Sequence, residues 1–364
     1  MSPEFLFVTC QVGAEKAVKD ELARSTPDLR LAYSCPGFLT FKLPAGAAWP
    51  DDFELRSVFA RASGFSLGPV SGTDDRSRAE AVWQMVGDEP IDVVHAWPRD
   101  TRPSGERNYE PGLTPRSREV AAALATAHAE RFGRAIPSGV ARRGQRVLDC
   151  VLLDDDRWWI GYHRARSRTS RWPGGMIALE PPPDAVSRAW LKMEELLRWT
   201  RLPLEPGDRC AEIGCAPGGT TQALLARGVH VLGIDPALVD PRVAAHPHFM
   251  QLQLRGRDVR RRALRGIRWL VVDINVAPQY ALDTVADLVQ HPAVDVRGVV
   301  MMLKLLSWDL AGQLPEYLAQ IRSWGFADVR ARQLQFNRQE VAVVAMKVRR
   351  RGRPRSRRVS TVQP

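Results

Sequence analysis

Between positions 210 and 221 the chain reads Cys210, Ala211, Glu212, Ile213, Gly214, Cys215, Ala216, Pro217, Gly218, Gly219, Thr220, Thr221, an apolar run that turns through small residues into a helix-like segment. Such a turn lets a ligand approach the backbone closely, and the free N–H groups at the helix start suit an anionic group. It has no Gly-Lys-Ser/Thr ending, so it is not a nucleoside-triphosphate loop, and its spacing is not the G-x-G-x-x-G of dinucleotide enzymes. Twenty-one positions after Gly214, a second apolar run ends in Gly233, Ile234, Asp235 and Pro236. That places a carboxylate where strand, turn, helix and strand folds hold ribose hydroxyls, so Asp235 is the expected ribose ligand. The competing accounts are a turn-capping role for Asp235 and a structural salt bridge for Glu212.

Two more charged residues directly follow apolar runs, Asp273 after 269–272 and Lys304 after 299–303. In parallel sheets, side chains at the C-terminal ends of strands point into the ligand crevice. Lys304 is the more telling, because the run ahead of it has the character of a buried strand.

These residues need a scaffold, and the second half of the chain supplies one. Helices are expected at 187–199, 220–227 and near 314–324, with strands at 209–213, 229–234, 249–254, 269–273 and 299–303, and a final hairpin of 329–334 with 341–348. This alternation predicts a mostly parallel, doubly wound α/β sheet. The first half reads differently, as α+β: a strand at 4–10, a helix at 14–22, a return strand at 38–43, a short helix at 54–62, a strand at 91–96, a helix near 116–131, and a hairpin of 147–153 with 158–163. Between the halves, residues 165–183 have the composition of a linker. With Arg164 just ahead of it, this stretch interleaves Arg166, Arg168 and Arg171 with Trp172, a pattern that either contacts phosphates and bases or is a solvated connection. The resulting division is 1–164, 165–183, 184–348 and a basic tail at 349–364; 364 residues suit two cores better than one.

A net charge of +11 favours a polyanionic partner, since arginines and lysines that neutralise phosphates gain affinity from counterion release. Part of that charge lies in Arg349, Arg350, Arg351, Arg353, Arg355, Arg357 and Arg358, which read as a mobile arm. The five cysteines form no zinc-type spacing, so reduced thiols and no metal site are expected. No apolar run reaches the roughly 18 residues of a membrane span, and the first 13 residues do not resemble a signal peptide, so the expectation is cytoplasmic.

Residues 212–219 resemble motif I of the FtsJ-like ribose 2′-O-methyltransferases, usually Asp-Leu-Gly-Ala-x-Pro-Gly-Gly, with Glu212 in place of the Asp and Thr220 where an aromatic residue is common. The resemblance implies a Rossmann-like class I methyltransferase domain that binds S-adenosylmethionine through Glu212, Gly214 to Gly219, Asp235 and Asp273, with Glu212 near the methionine part. It also implies a dispersed Lys, Asp, Lys, Glu tetrad. Ser187, Arg188 and Lys192 match the family's Ser-Arg-x-x-x-Lys helix; Asp273 and Lys304 end their strands; Arg338, Glu340 and Val341 resemble the Arg-x-Glu-Val entry into the last strand. A ribose hydroxyl is a poor nucleophile and needs a base or an orienting group. Lys304 is the expected base with Asp273 as its partner, Lys192 and Glu340 positioning them, and repulsion between the two lysines is expected to lower one ammonium pKa.

The start of the chain, Gly13 with the helix 14–22 after a strand, and the stretch from Arg332 to Val341 are similar to the ribosomal RNA large subunit methyltransferase M family. That implies an N-terminal THUMP-like RNA-binding region, 23S ribosomal RNA as substrate and a cytidine as target. Arg164, Arg166, Arg168, Arg171 and Arg188 are then the expected RNA contacts, and a monomer is assumed. The alternatives are a non-catalytic RNA-binding or ribosome assembly factor that retains the fold, and an enzyme acting on another RNA such as tRNA. A base N-methyltransferase would carry Asn/Asp-Pro-Pro-Tyr/Phe where this chain has Asp273, Ile274, Asn275, Val276, and a C5-methyltransferase needs a cysteine near that strand.

Overall fold

In the computed structural model, which describes residues 3–46 and 49–347, the strands form two seven-stranded sheets. The first half contributes β1 (Phe5–Cys10), α1 (Glu15–Ser25), β2 (Arg30–Cys35), β3 (Phe38–Lys42), β4 (Ala60–Val70), α2 (Asp75–Val86), β5 (Val93–Pro98), α3 (Pro115–Phe132), β6 (Arg146–Leu152) and β7 (Trp158–Arg164). Its strand order is β2-β3-β1-β4-β7-β6-β5, antiparallel throughout except for the parallel pair β5 and β6. Capping boxes start both covering helices, Asp74 with Ser77 for α2 and Thr114 with Ser117 for α3. Trp83 and Leu124 of those helices close over Leu148 and Ile160 of the sheet.

The helix expected at 54–62 is a correction. Residues 54–57 form no helix, and β4 begins at Ala60. The cause is Glu21 of α1, whose carboxylate accepts the backbone N–H groups of Val58 at 2.8 Å and Phe59 at 3.4 Å and the Ser57 hydroxyl. Those donors are satisfied across the chain and have no need of a local helix. The strand β2 and helix α2 carry too weak a pattern to be expected from the residues alone.

The second half contributes α4 (Ala189–Thr200), β8 (Arg209–Ile213), α5 (Gly219–Leu225), β9 (His230–Ile234), α6 (Pro241–Ala244), β10 (Phe249–Leu252), β11 (Trp269–Val272), α7 (Pro278–Val289), β12 (Gly298–Lys304), α8 (Leu314–Ser323), β13 (Asp328–Arg332) and β14 (Glu340–Met346). The order β10-β9-β8-β11-β12-β14-β13 is parallel as far as β12, and the last two strands return antiparallel, as the expected hairpin requires. Residues 298–303 are all buried because helices cover both faces: α7 and α8 pack on Leu270, Val299 and Met301, and α4 and α5 on Val271, Val300 and Met302. The helix α7 is a further element beyond the sequence expectations.

Residues 165–183 are not uniformly a solvated connection. Ala165 and residues 173–177 are buried, and Arg171 donates to the Ala141 carbonyl at 2.7 Å. Arg332 of β13 reaches the Arg61 carbonyl of β4 at 2.8 Å, and Gln333 reaches Gln11 at 2.6 Å. The indole of Trp308 covers Gly13 and meets the Phe59 ring edge-on. The five cysteines are unpaired. No helix among the described residues is long and apolar enough to cross a membrane. The basic tail lies outside the described residues.

Candidate active site

Lys304 is the last residue of β12 and Glu340 the first of β14, and the antiparallel register sets them directly opposite each other. Asp273 follows β11, the strand on the other side of β12, and Lys192 projects from the first turn of α4 above the same sheet end. Lys192 Nζ lies 2.8 Å from Asp273 Oδ2 and 3.1 Å from Glu340 Oε1. Lys304 Nζ lies 2.6 Å from Asp273 Oδ1 and also pairs with Glu340 Oε2. Each carboxylate therefore bridges both amines, and the four groups form a closed ring of alternating charge.

That alternation decides the titration. Burial opposes the charge on Lys304, but Asp273 and Glu340 outweigh it and push its pKa up to about 12. Burial also opposes the carboxylates, and the two lysines more than offset this, holding Asp273 and Glu340 below the usual carboxylate range. The expectation of a lysine pKa lowered by its fellow lysine is thus corrected for Lys304: its nearest charges are two carboxylates, not the other ammonium.

Glu340 is held by a network that the motifs do not assign. Asn337 Nδ2 donates to Glu340 Oε1 at 3.0 Å, while its Oδ1 accepts the Leu334 N–H at 2.8 Å. The buried Glu195 of α4, one helical turn from Lys192, accepts the N–H groups of Gln335 at 2.8 Å and Phe336 at 3.2 Å. One helix thus fixes both a lysine of the ring and the loop that delivers Glu340. Only a Glu three positions after Lys192 hinted at this.

The glycine turn borders the ring. Gly214 has φ +83°, and a Cβ there would collide with the Asp273 carbonyl oxygen, so β8 and β11 close together at a point that only glycine permits. Gly219 starts α5 against the backbone of Ser187 and Trp190, at the beginning of α4. Asp235 does brace a turn, accepting the N–H groups of Ala216 at 3.1 Å and Ala237 at 2.8 Å, and it also lines a cleft. Glu212 is buried with the Thr221 hydroxyl donating to it at 2.5 Å and makes no salt bridge among the described residues. Burial pushes its pKa up to about 8, Asp273 and Asp235 adding to the rise and Thr221 opposing it. Cys215 is buried, and Ala216 lines the ring cleft.

Two clefts meet at Gly214. One, of about 300 Å³, runs between Asp235 and the apolar Ile234, Ile274 and Val276; the other, of about 580 Å³, holds Lys192, Glu212, Asp273, Lys304 and Glu340. The first is large enough and apolar enough for a nucleoside-sized group, and the second carries the charged residues.

Four of the five expected RNA-contacting arginines have protein partners. Arg164 pairs with Asp51, Arg166 with Asp52 at 2.6 Å, and Arg188 with Glu110 while donating to Ser104 at 2.7 Å. Arg171 is anchored as described, and Arg168 is half-buried. The more open basic surface is one that the sequence did not single out: Arg255, Arg257, Arg260, Arg262, Arg265 and Arg268, all exposed between β10 and β11, with Arg255 and Arg257 lining the apolar cleft.

A family profile described as FtsJ-like methyltransferase matches residues 185–313, which include the glycine turn and three residues of the ring. The ribosomal RNA large subunit methyltransferase M of Halorhodospira halophila (strain DSM 244 / SL1) is 28% identical over 360 residues, spanning 95% of this chain and 97% of that protein. The protein of the same name from Laribacter hongkongensis (strain HLHK9) is 31% identical over 381 residues, spanning 98% of this chain and 100% of its relative. Similarity at that level from end to end covers the N-terminal half and the return strand bearing Glu340 as well as the catalytic core, so the chain belongs to the ribosomal RNA large subunit methyltransferase M family.

Proposed function

We propose that the protein transfers a methyl group from S-adenosylmethionine to a ribose 2′-hydroxyl of 23S ribosomal RNA, at a cytidine, in the cytoplasm. The observation that carries this reading is the ring of Lys192, Asp273, Lys304 and Glu340 beside a glycine turn suited to a nucleoside. Glu212, Gly214, Cys215, Ala216, Pro217, Gly218, Gly219 and Asp235 would hold the donor, and Asp273 would border it. When bound, the donor supplies an electrophilic methyl on a sulfonium. Lys304 holds its own proton against Asp273 and Glu340, so only the small deprotonated fraction is active. In that fraction Nζ has a lone pair to accept the hydroxyl proton as the oxygen–methyl bond would form and the methyl–sulfur bond break, its electron pair staying on a neutral thioether. Asp273 keeps Nζ in place, and Lys192 keeps both carboxylates paired.

Residues 1–164 are proposed as a THUMP-like RNA-gripping unit, 165–183 as the connection and 184–348 as the catalytic unit, in a monomer that requires no metal for methyl transfer. The test is to map 2′-O-methyl groups in total RNA with and without the protein and to methylate the unmodified RNA with the purified chain. One 23S site that depends on the protein is expected. Methylation of a base, of tRNA alone, or no methylation would overturn the assignment.

The exposed arginines between β10 and β11 are proposed to neutralise phosphates. Replacing Arg260, Arg262 and Arg265 with alanine is expected to weaken RNA binding and flatten its salt dependence, by about 0.7–0.9 in log–log slope for each phosphate no longer neutralised. Fluorescence anisotropy across a salt series reads both, and an unchanged slope removes this loop from the interface.

A further inference from the structure

The first sheet buries three ionisable groups that methyl transfer does not use. His95 of β5, Asp149 of β6 and His163 of β7 lie on three successive strands, His95 directly opposite Asp149 in the parallel register. All three are buried, His95 and Asp149 completely. His163 Nδ1 is 2.5 Å from Asp149 Oδ2, and His95 Nδ1 is 3.8 Å from Asp149 Oδ1. One donor atom from each residue falls within 4.8 Å of the other two.

Hydrogen bonding inside this cluster does not close. The Gly139 carbonyl faces His95, yet neither ring nitrogen of His95 makes a hydrogen bond, and Asp149 Oδ1 is likewise unmet. Buried polar atoms are rarely left so. His163 Nε2 must donate to the Ser170 carbonyl, 2.7 Å away, because a carbonyl oxygen only accepts. In a neutral ring the lone pair is then on Nδ1, aimed at a carboxylate oxygen. At 2.5 Å only a proton fits between them, so either the ring is protonated on both nitrogens or the contact opens around a metal ion. A proton there would satisfy His163 and Asp149 Oδ2 but leave His95 and Asp149 Oδ1 orphaned, whereas a metal ion serves all of them.

We propose that His95, Asp149 and His163 form a binding site for a divalent first-row transition ion, zinc foremost, outside the methyl-transfer site. Two imidazoles and a carboxylate are a zinc-type donor set. Metal–ligand bonds of about 2.0–2.1 Å put tetrahedral ligands roughly 3.3 Å apart, so donor atoms that lie within 4.8 Å of one another need shifts of no more than about 1.5 Å in any separation to close on one ion. The Ser170 carbonyl supplies the outer hydrogen bond that fixes a ligating histidine, and Gly139 is placed to do the same for His95. A cavity of about 40 Å³, bordered by Asp149, His163, Thr169 and Trp172, has room for a water as a further ligand. Because Ser170 lies in the segment after β7, the ion ties that segment to the sheet. The spacing 95, 149, 163 has no zinc-motif signature, so the sequence expectation of no metal site did not test it.

The probe is Co²⁺ added to the chelator-stripped full chain. One equivalent is expected to give the visible absorption of a low-coordinate site without thiolate charge transfer, and Zn²⁺ is expected to displace it. Zinc content by mass spectrometry should be about one per chain after reconstitution and dialysis. His95→Ala is expected to weaken binding at least about tenfold, whereas Lys304→Ala leaves it unchanged, which separates this site from the catalytic reading. Featureless or substoichiometric Co²⁺ spectra, thiolate charge transfer, or full retention of metal by a folded His95→Ala chain would each overturn the proposal. If His95→Ala does not fold, the titration of the unaltered chain decides by itself.

Discussion

Replacing Lys304 with alanine is expected to slow methyl transfer by about 10²–10⁴-fold, the usual contribution of a positioned base, while donor affinity changes by no more than a few fold. The reason lies in the geometry: Nζ reaches Asp273 and Glu340 at the mouth of the ring cleft, whereas the proposed nucleoside cleft is lined by Asp235, Ile274 and Val276. The alanine variant leaves two carboxylates with only Lys192, and either of them can shed the surplus charge by taking a proton. Lys304→Arg sharpens the test, because a guanidinium keeps the positive charge between Asp273 and Glu340 but does not deprotonate in proteins. It should be nearly as slow as the alanine variant. Single-turnover methylation of RNA, with donor binding measured by calorimetry, reads both quantities. Substantial turnover by Lys304→Arg would make this residue an electrostatic support and leave the proton acceptor to be found elsewhere.

The second large effect is in pH dependence. With the Lys304 pKa pushed up to about 12, nearly all of the amine is protonated at pH 7, and the free amine is the active form. The rate should therefore rise with pH, about tenfold per unit between about pH 7 and 9, or roughly 100-fold across the window. Glu212, whose pKa burial pushes up to about 8, titrates in the same range, so the profile is to be taken at saturating donor, where changes in donor affinity do not enter. Glu340→Gln removes one of the two carboxylates that raise the Lys304 pKa, and the rising limb should move to lower pH even as the maximal rate falls. A flat profile between about pH 7 and 9 at saturating donor would sink the assignment of Lys304 as base.

Much of the catalytic half was legible because each element carries its own signal. The buried parallel strands β8, β9, β11 and β12 are short apolar runs, and their C-terminal residues point to one edge of the sheet, so Asp273 and Lys304 could be placed near Asp235 and the glycine turn without coordinates. Helix α7 lies outside the sequence expectations, although its apolar face packs against Leu270 and Val299 in the core. At 54–62, apolar spacing suggested a helix, and a carboxylate from α1 decided otherwise by taking the backbone donors.

The chain's order of residues by itself determined the alternation that builds the sheet, the position of Gly214 where no side chain fits, and the identity of four charged groups at strand and helix ends. Local patterning suffices for these, since each depends on a few neighbours along the chain. Only the tertiary structure decided how those charges interact: that each carboxylate touches both lysines, that Lys304 consequently holds its proton more tightly, and that Glu195 and Asn337 deliver Glu340. It also decided that Arg188 is paired with Glu110 and that His95, Asp149 and His163 share one buried point. Electrostatic energies fall off with distance in space and depend on burial, and neither quantity is written in the spacing of residues along a chain.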